Sequence, residues 1–432
     1  MGQTFYIETF GCSANKADSE IIVGLLRNHG LNLVDDPLGA DFIIVNTCAV
    51  KAPTEQKVLR RLSDLSKLKG KLVVGGCLPA ISMESIRDVV PEFCAAFCPR
   101  SLDRIAEIID AVRADQTSLV YLSTGAIEKP VLPRLRQNRN RGIIEIAEGC
   151  LGSCSYCCVR FARGPLHSYH SDALVSQARS MLDDGCRELW ITAQDTAAYG
   201  LDIGSSLPEL LERICDLPYR FKIRVGMMNP KNVLPILDEL ARVYDNPKIY
   251  KFLHLPVQSG DNDILSAMRR GYTVEDFTDI LDRICRPSIR MTLATDIIVG
   301  FPGETENQFQ LSVELMKRVK PDIVNVSRFG KRPKAAASSY SDQLHGMEKK
   351  RRSRKLSAIA REISLRRNRD WIGWSGEALV TEAGPKGGWI ARNYAYKPIL
   401  LRSGGDLLGR HVNVAVTSAT YGYLLGDRSL FD

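Results

Sequence analysis

From residue 4 to about residue 330, short apolar runs alternate with helix-period patterns, and this constrains the chain more than any other feature. Strand-like runs Thr4–Thr9, Asp41–Val45 and Lys71–Val74 flank helical patterns at Ala17–His29 and Thr54–Lys69, which stop at Gly30 and Gly70. A third helix is expected from the candidate cap Ser101. Strands that alternate with helices imply a parallel sheet with helices on both faces. The rhythm resumes after a linker rich in Pro and Arg, Lys129–Arg141. Strand candidates there are Ile143–Ala147, Glu188–Thr192, Phe221–Val225, Lys251–Leu255, Met291–Val299 and Ile323–Ser327. Helical patterns fill the gaps at Ala173–Asp184, Pro208–Cys215, Val233–Tyr244, Val274–Cys285 and Glu306–Val319. Six β/α units predict an incomplete α/β barrel or an open parallel sheet.

The end of the chain has a different texture. Residues 370–432 are rich in Val, Thr, Tyr and Gly, with turns at Gly384-Pro385, Gly387-Gly388 and Gly404-Gly405, and read as a small all-β barrel. Three domains are expected, at 1–125, 142–345 and 370–432. A hydrophobic content of 44% with 25% charged residues excludes wholesale disorder. No apolar stretch approaches the roughly 18 residues a membrane helix needs, and no basic region leads into an apolar run at the N-terminus. A cytoplasmic protein with no membrane partner is expected.

The net charge of +8 is concentrated. Lys349–Arg369 holds ten Lys/Arg and one acid, Glu362. Such a block points to a polyanion. Lys349, Lys350, Arg351, Arg352, Arg354 and Lys355 are candidate phosphate contacts, with the solvated inter-domain helix as the plainer reading. Arg392 and Arg402, among the aromatics Trp389, Tyr394, Tyr396, Tyr421 and Tyr423, are further RNA-binding candidates.

Twelve cysteines without an export signal point to metal or redox chemistry rather than disulfides. The sharpest motif is Cys150-x₃-Cys154-x₂-Cys157, in a loop directly after the first strand of the second segment. Three thiolates can hold three corners of a [4Fe–4S] cubane and leave one iron open. The competing reading is structural zinc completed by Cys158, His167 or His170. Cys12, Cys48 and Cys77 lie far apart in sequence, yet each follows the C-terminal end of a predicted strand. In a parallel sheet those ends share one edge, so the three could converge on a second cluster. The plainer reading is burial, the usual fate of cysteine. Cys94, Cys98, Cys158, Cys186, Cys215 and Cys285 are assigned to no cluster.

The C-x₃-C-x₂-C motif, with Tyr156 before its last cysteine, resembles the radical S-adenosylmethionine (SAM) superfamily. That likeness implies a partial (β/α)6 barrel and a cluster whose open iron binds SAM and cleaves it to a 5′-deoxyadenosyl radical. Both cysteine triads in this order resemble the methylthiotransferase family, over nearly the whole chain. Further matching stretches are Gln194–Gly200, His254–Gly260, Met268–Tyr272 and Thr295–Glu304. The family's architecture is an N-terminal flavodoxin-like sheet, a radical SAM core and a C-terminal TRAM barrel, an α/β fold overall. Asn46–Glu55 and Gly226–Pro230 look most like the archaeal and eukaryotic branch. That branch inserts a methylthio group at C2 of N6-threonylcarbamoyladenosine (t6A) 37 in tRNA.

The resemblance implies two [4Fe–4S] clusters and SAM as cofactors. Its implied partners are the tRNA anticodon loop, an external electron donor and a sulfur donor. Gln194, Asp195, His254, Gln258 and Asp296 become candidates to contact SAM or the base, and Arg160 and Arg163 candidates to hold anionic groups. One departure is Arg328-Phe329-Gly330-Lys331-Arg332-Pro333-Lys334-Ala335, where many relatives carry Pro-Gly-Thr after the Arg-Pro. Other targets consistent with the residues are a different tRNA adenosine or a ribosomal-protein aspartate. A non-catalytic iron–sulfur RNA-binding regulator is the alternative of another class.

Overall fold

The computed structural model describes residues 2–50, 52–286, 289–402 and 404–428. Its first layer is a parallel sheet of β1 (Thr4–Thr9), β2 (Asn32–Leu33), β3 (Phe42–Thr47), β4 (Lys71–Gly76), β5 (Ala95–Phe97) and β6 (Leu119–Tyr121), in the spatial order β2-β1-β3-β4-β5-β6. This is the flavodoxin-like order, with the switch of direction between β1 and β3. Alternate residues of β3 feed two cores. Ile43 and Val45 pack with Val58, Leu62 and Leu65 of one helix, and Phe42 and Ile44 with Ile21, Ile22 and Leu26 of another. A strand buried on both faces reads as a continuous apolar run, which is why Phe42–Val45 shows no alternation.

The second unit contains β7 (Arg141–Glu145), a short ladder of β8 (Ala147–Glu148) with β9 (His167–Ser168), then β10 (Glu188–Thr192), β11 (Lys222–Val225), β12 (Phe252–His254), β13 (Thr292–Val299) and β14 (Ile323–Arg328). β7, β10 and β11 form one parallel ladder and β12, β13 and β14 another. They join where Tyr250 N donates to Ile223 O (2.9 Å) and Met228 N to His254 O (3.0 Å). No ladder connects β7 to β14 among the described residues, so the six units form a partial barrel.

The third unit is a closed barrel of β15 (Ser375–Ala383), β16 (Trp389–Arg392), β17 (Pro398–Leu401), β18 (His411–Ala419) and β19 (Leu424–Arg428), in the order β15-β16-β17-β19-β18. This agrees with the expected small all-β barrel. The fold class expected from sequence holds in all three parts.

Local differences have local causes. Ser101 does not cap a helix. Its hydroxyl accepts from Ser123 N (3.0 Å) within a 3₁₀ turn, Pro99–Arg104, and the α-helix starts at Ile105. The pattern at Val233–Tyr244 is interrupted by a 3₁₀ turn, Leu234–Ile236, that carries Pro235, because proline cannot donate within a helix.

The basic helix, Gly346–Arg369, packs on β14 through one i, i+4 stripe: Arg352, Leu356, Ala360, Ser364 and Asn368. Ser364 Oγ donates to Asp322 O (2.7 Å). Asn368 ties the helix to the C-terminal barrel, donating to Thr420 O (2.8 Å) and accepting from Lys397 Nζ (2.6 Å). No helix among the described residues is long and apolar enough to cross a membrane.

The first two units are clamped by buried charge. Lys129 Nζ contacts Asp18 (2.7 Å), Glu148 (2.8 Å) and Glu145 (3.2 Å). Arg163 contacts Asp18 (2.6 Å), Glu145 and Glu148 (both 3.0 Å) and Asn15 (3.2 Å). Asp18 and Asn15 belong to the first sheet's helix, and the others to the linker and the barrel. Burial alone would raise the Asp18 carboxyl, but Arg163 and Lys129 beside it hold it below its ordinary value. Burial pushes Glu145 up to about 7 despite Lys129. Arg163 is therefore corrected: its guanidinium is committed inside the protein and takes no anion of SAM or RNA.

Removing one member of a buried charge network leaves the others unpaired and typically costs about 3–5 kcal/mol. Lys129→Met is expected to lose that much stability in urea denaturation at pH 7, and a loss below about 1 kcal/mol would contradict the clamp.

Candidate active site

The Cys150–Cys157 loop leaves β8 through Gly149, whose φ of +80° carries the chain into a space that no side chain could share. A Cβ there would lie 2.0 Å from Pro165 O. Gln194, just past β10, accepts from Gly149 N (2.6 Å) and fixes the start of the loop.

Each of the three sulfurs accepts one hydrogen bond. Gly152 N donates to Cys150 Sγ (3.2 Å), Val159 N to Cys157 Sγ (3.4 Å) and Arg270 Nη1 to Cys154 Sγ (3.2 Å). A Cβ built on Gly152 would meet the sulfurs of both Cys150 (3.3 Å) and Cys154 (3.7 Å), so these two turn to one side of the loop. Burial pushes the bare Cys157 thiol up to about 12, with Cys158, Cys154 and Cys150 adding to the rise. Cationic iron bound there would offset that rise and hold the sulfurs as thiolates.

The other triad sits where the sheet order demands. Cys12, Cys48 and Cys77 follow β1, β3 and β4, which are neighbours, and parallel neighbours end about 4.8 Å apart. Gly11, at φ +115°, allows the approach, since a Cβ there would lie 2.6 Å from Cys48 Cβ and 3.0 Å from its sulfur. Asn15 braces the edge, donating to Thr47 O (2.8 Å) and accepting from Cys12 Sγ (3.4 Å). Burial pushes Cys77 up to about 12; Arg163 opposes the rise and Cys12 and Cys48 add to it.

Among the described residues, no group of three or more His, Cys, Asp or Glu side chains is gathered tightly enough for one metal ion. Nor is a closed zinc set built around the second triad. Cys158 Sγ turns to Ala49 O (3.6 Å) and His167 pairs with Glu128 (3.2 Å). Three cysteine thiols on one short loop are the donor chemistry that an iron–sulfur cluster takes.

The remaining sequence candidates divide. Asp195 is buried and fully engaged, accepting from Asn229 N (2.9 Å), Ala197 N (3.2 Å) and Asn232 Nδ2 (2.7 Å). It shapes the loops beside Cys150, and burial raises its carboxyl. His254 and Asp296 form a half-buried pair (Nε2 to Oδ2, 2.9 Å) across β12 and β13. Gln258 is held at φ +74° by its N–H on Asp296 O (2.8 Å). Arg160 is exposed on the short helix Val159–Arg163.

In the basic helix, Arg352 is buried against Glu304 (2.7 Å) and Glu348 (2.6 Å). Since Glu304 also accepts from Gly300 N (2.6 Å), Arg352 anchors the loop after β13. Arg392 pairs with Glu382 (3.0 Å) and stacks on Tyr396 (4.4 Å). Arg352 and Arg392 are corrected as phosphate contacts, because their guanidiniums are already committed within the fold. Arg351 is exposed but engages Glu306 and Glu348. Lys355 donates to Gln310 (3.1 Å), Lys349 lies over Phe329 (5.0 Å), and Lys350, Arg354 and Arg402 are exposed.

Arg270 was missed as a site residue, although its stretch was noticed. A second arginine in Met268–Tyr272 carries no directional signal in sequence.

Comparison with known proteins agrees with this geometry. Residues 4–97 match the family described as "Uncharacterized protein family UPF0004", and residues 144–316 match the radical SAM superfamily. A probable threonylcarbamoyladenosine tRNA methylthiotransferase of Pyrococcus abyssi is 43% identical over 424 residues, 98% of each chain. The threonylcarbamoyladenosine tRNA methylthiotransferase of Danio rerio is 33% identical over 98% of this chain and 78% of its own. The chain belongs to the threonylcarbamoyladenosine tRNA methylthiotransferase family.

A solved radical SAM methyltransferase, TsrM of Kitasatospora setae, shares the fold at a TM-score of 0.59 and 15% identity, covering 78% of this chain and 77% of its own. Membership of the radical SAM superfamily brings a [4Fe–4S] cluster and SAM with it. Arg270 is a buried cation on Cys154 Sγ, and a cluster held by that sulfur would be favoured in its more negative, reduced state. Arg270→Gln is therefore expected to shift the reduction potential downward, read by EPR-monitored redox titration. An unchanged or raised potential would contradict the assignment.

Proposed function

We propose that this chain converts t6A37 of tRNA to its 2-methylthio derivative, with two [4Fe–4S] clusters, one on each cysteine triad. The observation that carries the reading is that the neighbours of one triad touch the neighbours of the other. Ser13 Oγ, beside Cys12, lies 2.7 Å from Thr192 Oγ1 at the C-terminal end of β10. Cys158 Sγ, beside Cys157, reaches Ala49 O, beside Cys48, at 3.6 Å. The neighbours of the two triads thus meet where the N-terminal sheet contacts the partial barrel.

When bound, the cluster at Cys150, Cys154 and Cys157 supplies the electron for reductive SAM cleavage, and the one at Cys12, Cys48 and Cys77 the sulfur for transfer. Adenine C2 carries no acidic proton for a base to remove, so a radical takes the place of acid–base catalysis. Gln194 and Arg270 hold the SAM-cleaving loop, and Asn15 and Gly11 hold the other edge. His254, the last residue of β12, pairs with Asp296 within β13 and is available to the substrate. The target nucleotide must leave the anticodon-loop stack to reach it.

Lys350, Arg354 and Arg402 supply phosphate contacts, with exposed Tyr421 and Tyr423 available for stacking. An external electron donor and a sulfur donor complete the reaction, which we place in the cytoplasm. Relatives named for tRNA along the full chain favour RNA over a protein side chain as target.

Mass spectrometry of tRNA nucleosides tests the reading. Cells lacking the protein are expected to lose 2-methylthio-t6A and accumulate t6A. Cys48→Ala is expected to restore SAM cleavage but not the modification, and Cys154→Ala neither. Unchanged 2-methylthio-t6A in deleted cells would overturn the substrate assignment.

A further inference from the structure

The segment after β14 does more than close the barrel. Arg332 is 7% exposed and lies on the core side of the seam. Its Nη2 donates to Ala49 O (2.5 Å) and pairs with Glu55, both in the N-terminal unit. The same Ala49 carbonyl accepts from Cys158 Sγ (3.6 Å). The residue after Cys48 and the residue after Cys157 therefore meet at one oxygen, under one guanidinium.

The rest of the segment repeats the pattern. Ala337 N donates to Ser155 O (2.7 Å), beside Cys154. Lys334 Nζ donates to Ala80 O (3.2 Å), on the helix that Cys77 begins. Arg332 is itself fixed from behind. Its N–H donates to Ser338 Oγ (2.8 Å), and that hydroxyl donates to Arg332 O (2.7 Å). One loop thus ties the neighbours of Cys48, Cys77, Cys154 and Cys157.

We propose that Arg332 is a positioning residue that sets the separation and orientation of the two cysteine triads, and so couples SAM cleavage to sulfur transfer. A radical made at one triad is useful only if the target carbon lies within reach of sulfur held at the other. A displacement of about 1 Å in such an arrangement costs on the order of 100-fold in rate. A planar guanidinium presents its donors in a rigid fork to the carbonyl and the carboxylate, whereas an ammonium's donors rotate on a flexible stem. The proposal rests on the two-cluster reading above.

The test uses the full chain, reconstituted anaerobically, as wild type, Arg332→Met, Arg332→Lys and Glu55→Gln. Iron and sulfide content and thermal midpoint are measured first. Then the 5′-deoxyadenosine released per methylthio group formed is measured, together with the dipolar coupling between the two reduced clusters by pulsed EPR. Arg332→Met is expected to keep both clusters and continue cleaving SAM, while methylthio transfer falls on the order of 100-fold and the coupling changes. Arg332→Lys, which keeps the charge, is expected to fall between and not to rescue fully. Wild-type ratio and coupling in the Arg332 variants would overturn the proposal. If Arg332→Met misfolds, wild-type coupling in both Arg332→Lys and Glu55→Gln would overturn it. A single cluster in the wild type would overturn the two-cluster reading and this proposal together; two clusters with indifferent variants would overturn this proposal alone.

Discussion

Two cations and three carboxylates share one dry space where the N-terminal sheet meets the barrel. Asp18 comes from the helix that starts just after Cys12, Glu145 and Glu148 from the strands leading to Cys150, and Arg163 from the helix just after Cys157. Lys129 arrives from the linker. None of these charges could be buried alone, because desolvation of an isolated ion costs several kcal/mol. Each is tolerable only while the two units remain docked in this relation. The network therefore reports on position as much as on stability: sliding one unit past the other would strand a charge.

Parallel-sheet geometry does the rest. Cysteines remote in sequence meet because β1, β3 and β4 are neighbours that end on one edge. The second triad stands at the same kind of edge, in the loop after β8, so both face outward from strand C-termini. Asn15 illustrates how the two edges are joined. It braces Thr47, accepts from Cys12 and receives Arg163 from the other unit.

Much of this was legible in the residues. β1, β10 and the helix Glu306–Val319 coincide with the sequence reading because each is long enough for its period to register. β2, β5 and β6 were invisible, since two or three residues carry no alternation. The Cys150–Cys157 spacing pointed to radical SAM chemistry, and residues 144–316 match that superfamily. Arginines were read poorly for a physical reason: sequence counts charge but not its partner. Arg352 sits on the buried face of a helix in which ten of the eleven charged residues from Lys349 to Arg369 are basic, and nothing local marks it out. Arg332 finds Ala49 across 283 positions of chain, a contact that no window of sequence contains.

The central claim is that each triad holds iron and that both open into one space. Anomalous diffraction at the iron edge, from anaerobically grown crystals, addresses it directly. Two iron peaks are predicted, one beside Cys12, Cys48 and Cys77 and one beside Cys150, Cys154 and Cys157, with solvent or ligand rather than protein between them. A single peak, or two peaks separated by packed side chains, would contradict it.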